Sequence, residues 1–158
     1  MERETKKRVL RKLTYGMWVI SAASGDDVEA SSVTWMTQAS FEPPLVIACV
    51  KADSHLRKVI ESARAFALHQ IAADHKDIAA TFIKPTKVED GKIAGRAWKP
   101  GVTGAPLLDG FPAHLEAKVV EVVVRGDHAV FVAEVVDAQL HDDVPSLALA
   151  TTGWSYGG

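Results

Sequence analysis

The sequence predicts an antiparallel β-barrel decorated by about three short helices, and three observations carry that prediction. Two long Val-rich segments, residues 113–125 and 129–140, flank Gly126-Asp127-His128, and Gly-Asp is a pair suited to a tight hairpin turn. Six or seven stretches have strand-like patterning, whereas only three short ones have helical spacing. Strands and helices do not alternate in a regular βα rhythm, which disfavours a doubly wound parallel sheet. Closing the sheet on itself removes the exposed edges that a strand-rich chain must otherwise protect.

Taken in chain order, residues 4–13 set Val9, Leu10 and Leu13 on one helical face, with Lys6, Lys7, Arg8, Arg11 and Lys12 elsewhere. A short amphipathic helix is expected; its basic residues suit a solvated face or a phosphate contact, and Glu2 and Glu4 dilute them. Residues 17–22 are strand-like, Ser24-Gly25-Asp26-Asp27 reads as a turn, and residues 29–41 resume in extended form, so a hairpin is expected. Pro43-Pro44 lacks ladder donors and belongs between strands. Residues 45–50 are a continuous apolar run, consistent with a strand buried on both faces.

Asp53 or Ser54 is placed to cap a helix carrying Leu56, Val59 and Ile60. Residues 66–71 return to strand character. Asp74 is the expected cap of a further helix with Ile78, Ala79 and Phe82 inward and Asp77 adding charge to the first turn. Residues 84–110 hold Gly91, Gly95, Gly101, Gly104, Gly110 and prolines 85, 100 and 106, with little periodicity. A stretch that long within a compact domain is more often functional than idle. Residues 146–150 are expected to add one more strand.

Composition narrows the function. A chain of 158 residues points to a single domain, 1–158, and its 47% hydrophobic and 24% charged residues suit a soluble protein with a real core. Lys plus Arg number 18 against 20 for Asp plus Glu, a net charge of −2, so no global field calls for nucleic acid or an acidic membrane. The single cysteine, Cys49, excludes an internal disulfide and cannot alone build a thiolate metal site. Residues 1–13 lack the apolar core of a signal peptide, and no apolar run approaches the ~18 residues of a spanning helix. A cytoplasmic, reducing compartment is expected.

Walker, GxGxxG, GxSxG and HExxH signatures are absent, which leaves a Rossmann route to a nucleotide unsupported. His114 and Glu116 alternate onto one strand face and His141 lies beside Asp142 and Asp143, but no third ligand falls at convincing spacing for a metal. Cys49 reads as a small buried hydrophobe, since no basic neighbour in the sequence favours a thiolate. In residues 30–41 the even-numbered Ser32, Thr34, Gln38 and Ser40 would share one face of a regular strand. Mixed with Trp35 and Met36 they suit a partly apolar ligand with hydrogen-bonding edges, and a strand with one solvated face fits equally. Lys51 and the Asp53-Ser54-His55 corner open a helix, where free N–H groups, a hydroxyl and a formal charge favour an anion. Simple capping by Ser54 beside a solvated Lys51 accounts for the same residues. The two segments together outline a ligand with a flat heteroaromatic part and a phosphate.

The run Ala-Ser-Ser-Val-Thr-Trp-Met-Thr-Gln-Ala-Ser-Phe-Glu-Pro-Pro-Leu-Val at 30–46 resembles the FMN-binding segment of the flavin reductase-like family. Lys51-Ala52-Asp53-Ser54-His55, Phe66-Ala67-Leu68-His69, Gly104-Ala105-Pro106-Leu107-Leu108, Leu115-Glu116, Gly126-Asp127-His128 and Thr152-Gly153-Trp154-Ser155-Tyr156-Gly157-Gly158 continue the likeness in order over residues 8–158. The resemblance implies a mainly β, antiparallel Greek-key split barrel that forms homodimers with flavin near the interface. It implies hydride transfer from NADH or NADPH to N5 of FMN, with FAD a possible flavin, and delivery of reduced flavin to a monooxygenase or another acceptor protein. Carried over, Ser32, Val33, Thr34, Trp35, Met36 and Gln38 would face the isoalloxazine and ribityl chain. Cys49 and Val50 would join the cofactor wall, and Lys51, Ser54 and His55 would hold the phosphate. His128 would lie at the nicotinamide, and Trp154 and Tyr156 would cover the site. The Thr-Trp-Met-Thr-Gln form also resembles the flavoredoxin branch, which implies an FMN-binding electron carrier without its own NAD(P)H site.

Overall fold

A computed structural model describes residues 1–84, 86 and 88–158. Pro85, part of the Gly- and Pro-containing stretch, lies outside the described residues. A helix, α1 (Arg3–Leu10), leads into β1 (Trp18–Ser24), β2 (Asp27–Val33), β3 (Met36–Ser40) and β4 (Leu45–Lys51). Then come α2 (His55–Ala63), β5 (Ala65–Gln70) and α3 (Lys76–Ile83). Four short strands follow, β6 (Val88–Glu89), β7 (Lys92–Ile93), β8 (Trp98–Pro100) and β9 (Pro106–Leu108), before the long pair β10 (Ala113–Val124) and β11 (His128–Leu140).

Seven strands form one antiparallel sheet in the order β2-β1-β5-β10-β11-β4-β3. The two edge strands, β2 and β3, are consecutive in the chain and joined by only Thr34 and Trp35. A two-residue link between opposite edges forces the sheet to curl until those edges meet, which is why the chain forms a split barrel and not an open sheet. This is the antiparallel split barrel that the sequence predicts.

Alternation along β1 shows how the barrel is filled. Ile20 and Ala22 point into a core shared with Phe66, Leu68, Phe131 and the inner face of α2 (Leu56, Val59, Ile60). Val19 points the other way, into a second cluster with Ile78, Ala79 and Phe82 of α3 and with Phe111 and Leu147. The strand buried on both faces is β5, all six of whose residues are buried; in β4 only Val46, Ala48 and Val50 are buried, alternating with half-buried Leu45, Ile47 and Cys49. The expectation for residues 45–50 is corrected accordingly: β4 sits next to the edge strand β3 and is fully buried on one face only.

Other expectations change in detail. Ser54, not Asp53, caps α2 by accepting from the Arg57 amide at 3.2 Å. At α3 the cap position falls on His75 with no side-chain bond, because Asp74 stands one residue too early. Residues 146–150 make two isolated bridges, Ala72 to Ser146 and Gly16 to Ala148, and then a 3-10 turn at Leu149–Thr151. The 84–110 stretch is organised into two ribbons, β6-β7 and β8-β9. It is pinned by buried Glu116, which accepts from the amides of Val102 (2.9 Å) and Thr103 (2.8 Å) and from the Thr103 hydroxyl (2.6 Å). Gly101 is required there, since an added Cβ would lie 2.2 Å from the Glu116 carboxylate. Among the described residues no helix is long and apolar enough to cross a membrane.

Candidate functional site

The Thr34–Trp35 crossover, the end of β4, the start of α2 and the start of β11 surround a cavity of ≈ 960 Å³. Small-molecule sites run to about 300–1,000 Å³, so this one has room for more than a single ring system. The walls include Ser32, Val33, Thr34, Trp35, Cys49, Val50, Lys51, Ser54, His55, His128, Trp154 and Tyr156. Residues from five separate segments thus converge on one space. Met36 and Gln38 do not line it. Trp35 ends the β2 alternation and turns the chain onto β4, where Met36 pairs with Ala48 and packs on the barrel core. Gln38 is exposed on the edge, its amide given to the Ser40 carbonyl at 3.3 Å. The single polar face expected for residues 32–40 is therefore broken at the crossover.

Each wall has its own electrostatics. Lys51, last residue of β4, pairs across the sheet with His128 and makes no ion pair among the described residues. Ser54 donates to the Lys51 carbonyl at 2.7 Å while it caps α2, which sets that corner rigidly at a helix start. His55 Nε2 lies 2.8 Å from Asp27 Oδ1 and 3.9 Å from Glu29 Oε2. The hydrogen bond that His55 donates to Asp27, reinforced by the carboxylate charge, raises the His55 pKa, so this imidazole holds its proton to higher pH than a solvated one. Burial raises the Glu29 carboxyl, with His55 opposing it. Burial likewise raises the Cys49 thiol, which keeps it protonated, but Cys49 is half-buried in the cavity wall and not the buried core residue expected from the sequence.

Asp27 and Glu29 are wall residues that sequence reasoning missed. The available signal was strand parity, since Asp27, Glu29 and Ser31 occupy alternate positions of β2. Ser31 and Ser32 spend their hydroxyls on α3, donating to the Phe82 carbonyl (3.3 Å) and the Ala79 carbonyl (2.9 Å). Among the described residues no group of three His, Cys, Asp or Glu side chains has a metal-binding arrangement; His114 and His141 stack at 5.2 Å, and Glu116 is spent on its loop.

The far wall is aromatic. The rings of Trp35 and His128 lie 4.5 Å apart and those of Trp35 and Tyr156 5.1 Å apart. His128 Nδ1 meets Asp127 Oδ1 at 2.8 Å, and its Nε2 meets the Tyr156 hydroxyl at 2.8 Å. An ionised carboxylate only accepts, so Nδ1 donates to Asp127, and in the tautomer protonated there Nε2 accepts from the Tyr156 hydroxyl. That bond to His128 pulls the Asp127 pKa down. The indole N–H of Trp35 is buried without an acceptor among the described residues.

A split barrel with a nucleotide-sized cavity, a cationic corner and an aromatic wall defines a class of flavin-binding oxidoreductase folds. The comparisons place the chain within it. The family model described as a flavin reductase like domain matches residues 10–156, and the chain belongs to that family. The reductase subunit HsaB of a flavin-dependent monooxygenase from Mycobacterium tuberculosis is 30% identical over 126 residues, 80% of this chain and 66% of HsaB. The chain therefore spans just under two thirds of that relative. FMN reductase (NADH) RutF from Cronobacter sakazakii is 28% identical over 118 residues, 75% of this chain and 69% of RutF. The solved NADH:FAD oxidoreductase SgcE6 of Streptomyces globisporus superposes with a TM-score of 0.72 at 28% identity, covering 84% of this chain and 80% of its own.

Proposed function

We propose that this chain is an NAD(P)H-dependent flavin reductase that binds FMN in the ≈ 960 Å³ cavity and passes reduced flavin, or its electrons, to an acceptor such as a monooxygenase. The observation that carries the reading is the convergence of Lys51, Ser54 and His55 with Trp35 and His128 on the wall of one cavity. The residues fit the flavin by their chemistry. Lys51 offers a charge that makes no ion pair among the described residues, the start of α2 offers backbone donors to a phosphate, and the Trp35 N–H, without an acceptor among the described residues, offers a donor to a ring carbonyl. Bound flavin supplies hydride acceptance at N5 from C4 of the nicotinamide.

The chain's own task is positioning, since bringing the reacting atoms to about 3–3.5 Å replaces an encounter in solution. Trp35 and Val33 present apolar surface to a flat ring. His128, oriented by Asp127, presents its Nε2 lone pair, which matches the N–H of a nicotinamide carboxamide. No side chain needs to act as acid or base in the hydride step. NADH is the donor proposed, as in the printed names of RutF and SgcE6. Two copies associate through the outer face of β4, where Leu45, Ile47 and Cys49 are only half-buried.

The test is His128→Ala. The KM for NADH rises about tenfold, the scale of one lost hydrogen bond with its packing, while the FMN dissociation constant changes little. An unchanged KM removes His128 from the nicotinamide site. The second reading, a flavoredoxin-like FMN electron carrier, is favoured by one observation: Nε2 of His128 is already occupied by Tyr156.

A further inference from the structure

That occupancy has a closer explanation, which rests on the reductase reading. Residues 153–158 have no regular secondary structure and form a strap along the cavity, with Trp154, Ser155 and Tyr156 in its wall. Tyr156 brings a planar ring and a hydrogen-bond donor to the place where His128 Nε2 meets the cavity, and its ring packs against Trp35. A nicotinamide would bring the same two things, a flat ring and a carboxamide N–H donor. One imidazole lone pair cannot serve both.

We infer that Tyr156 occupies the nicotinamide subsite as an internal stand-in, so that the 153–158 strap competes with the dinucleotide for His128 and must lift to admit it.

The strap is built to move. Gly153 (φ 76°) and Gly157 (φ 90°) bracket the aromatic pair in left-handed backbone, where glycine rotates without the steric penalty of a side chain. Trp154 anchors one side by packing against the second core cluster, and the polar anchors among the described residues are these. Arg11 Nε donates to the Gly157 carbonyl at 3.1 Å, the Trp154 amide to the Thr152 hydroxyl at 3.0 Å, and the Lys76 ammonium lies 4.6 Å from the Trp154 ring centroid. The Tyr156 side is the exposed one, with 38% of that residue accessible. The closed strap also buries the Trp35 indole N–H without giving it an acceptor, so closure is not fully compensated and opening costs little. When the strap is down it closes on the cavity wall, and a dinucleotide that lifts it takes over the His128 lone pair.

Two single variants loosen the strap by different means. Tyr156→Phe keeps the ring and removes only the donor to His128. Gly157→Ala leaves Tyr156 intact but puts a Cβ 2.8 Å from Trp35 Cζ2, on a backbone that favours glycine. The probe is 1,4,5,6-tetrahydro-NAD, which cannot transfer hydride, titrated calorimetrically into FMN-loaded protein. Each variant binds it about fivefold more tightly than wild type, the value of one competing hydrogen bond. In wild-type protein, saturating probe also speeds amide hydrogen exchange at residues 154–157. Variants that bind no more tightly than wild type, or more weakly, or a strap whose amides become more protected on binding, overturn the inference while leaving the reductase reading intact. A wild-type protein that binds FMN but neither binds the probe nor is reduced by NADH overturns both.

Discussion

His69 shows at the scale of one residue how this fold treats a titratable group. It is fully buried, donates from Nδ1 towards the Val19 carbonyl at 3.3 Å, and accepts at Nε2 from the Leu108 amide at 3.0 Å. Burial, with His114 adding a like charge, lowers its pKa to about 4. The unfolded chain protonates it near pH 6.5, so between those values the unfolded state binds the extra proton and stability falls with falling pH. The expected loss from this residue between pH 6.5 and 4 is about 3 kcal/mol. In His69→Gln, denaturant unfolding across that range has a slope shallower by about one proton, although the protein is less stable at pH 7. An unchanged slope means the buried ring is protonated in the native state. Lys51→Ala, which removes the cation of the proposed phosphate corner, is expected to weaken FMN binding about 10- to 100-fold in a fluorescence titration, since a charge-assisted bond is worth about 1.5–3 kcal/mol. Equal affinity in that variant places the phosphate elsewhere. The residues named for this site were legible because their chemistry is local: a cation, a capping hydroxyl and a helix start within five positions. Asp27 and Glu29 were not, because they reach His55 across 26 or more positions and only the fold makes them neighbours.

At the scale of elements, the hairpins and helices could be read directly from turn pairs and periodicity, and the crossover could not. Residues 29–41 look like one extended segment, yet they are two strands on opposite edges of the sheet, and the break at Thr34–Trp35 decides which side chains face the cavity. Strand parity is lost at such a break, which is why Met36 and Gln38 were assigned to the site and fall outside it. The 84–110 stretch was unreadable for a related reason: its ribbons are only two or three residues per strand and owe their order to a carboxylate on another strand, Glu116. Glu116→Gln keeps one acceptor oxygen for the Thr103 pair and turns its NH2 against the Val102 N–H, so that bond is replaced by two facing donors. The expected cost is about 3 kcal/mol, or roughly 6–12 °C in Tm for a domain of this size, by thermal unfolding. A shift below about 2 °C means the loop is held by other contacts. Ser54→Ala removes the α2 cap, costs about 1 kcal/mol and disturbs the same corner that Lys51 lines.

Across the whole molecule, the barrel follows from its connectivity: antiparallel strands with opposite edges joined by two residues must close. Closure brings the β2 end, the β4 end and the β11 start together, and these supply the wall of one cavity. The half-buried row on β4 calls for a partner surface, and a second copy is the occupant proposed; light scattering is expected to give a mass near twice the 17.0 kDa of one chain. A mass of one chain at micromolar concentration refutes that assembly. The central claim is that the cavity lets a nicotinamide reach a bound flavin. Anaerobic stopped-flow absorbance near 450 nm, with protein, FMN and NADH, tests it most directly. Bleaching much faster than in the protein-free control is the predicted result. Flavin that binds the protein but bleaches at the control rate with both NADH and NADPH contradicts it.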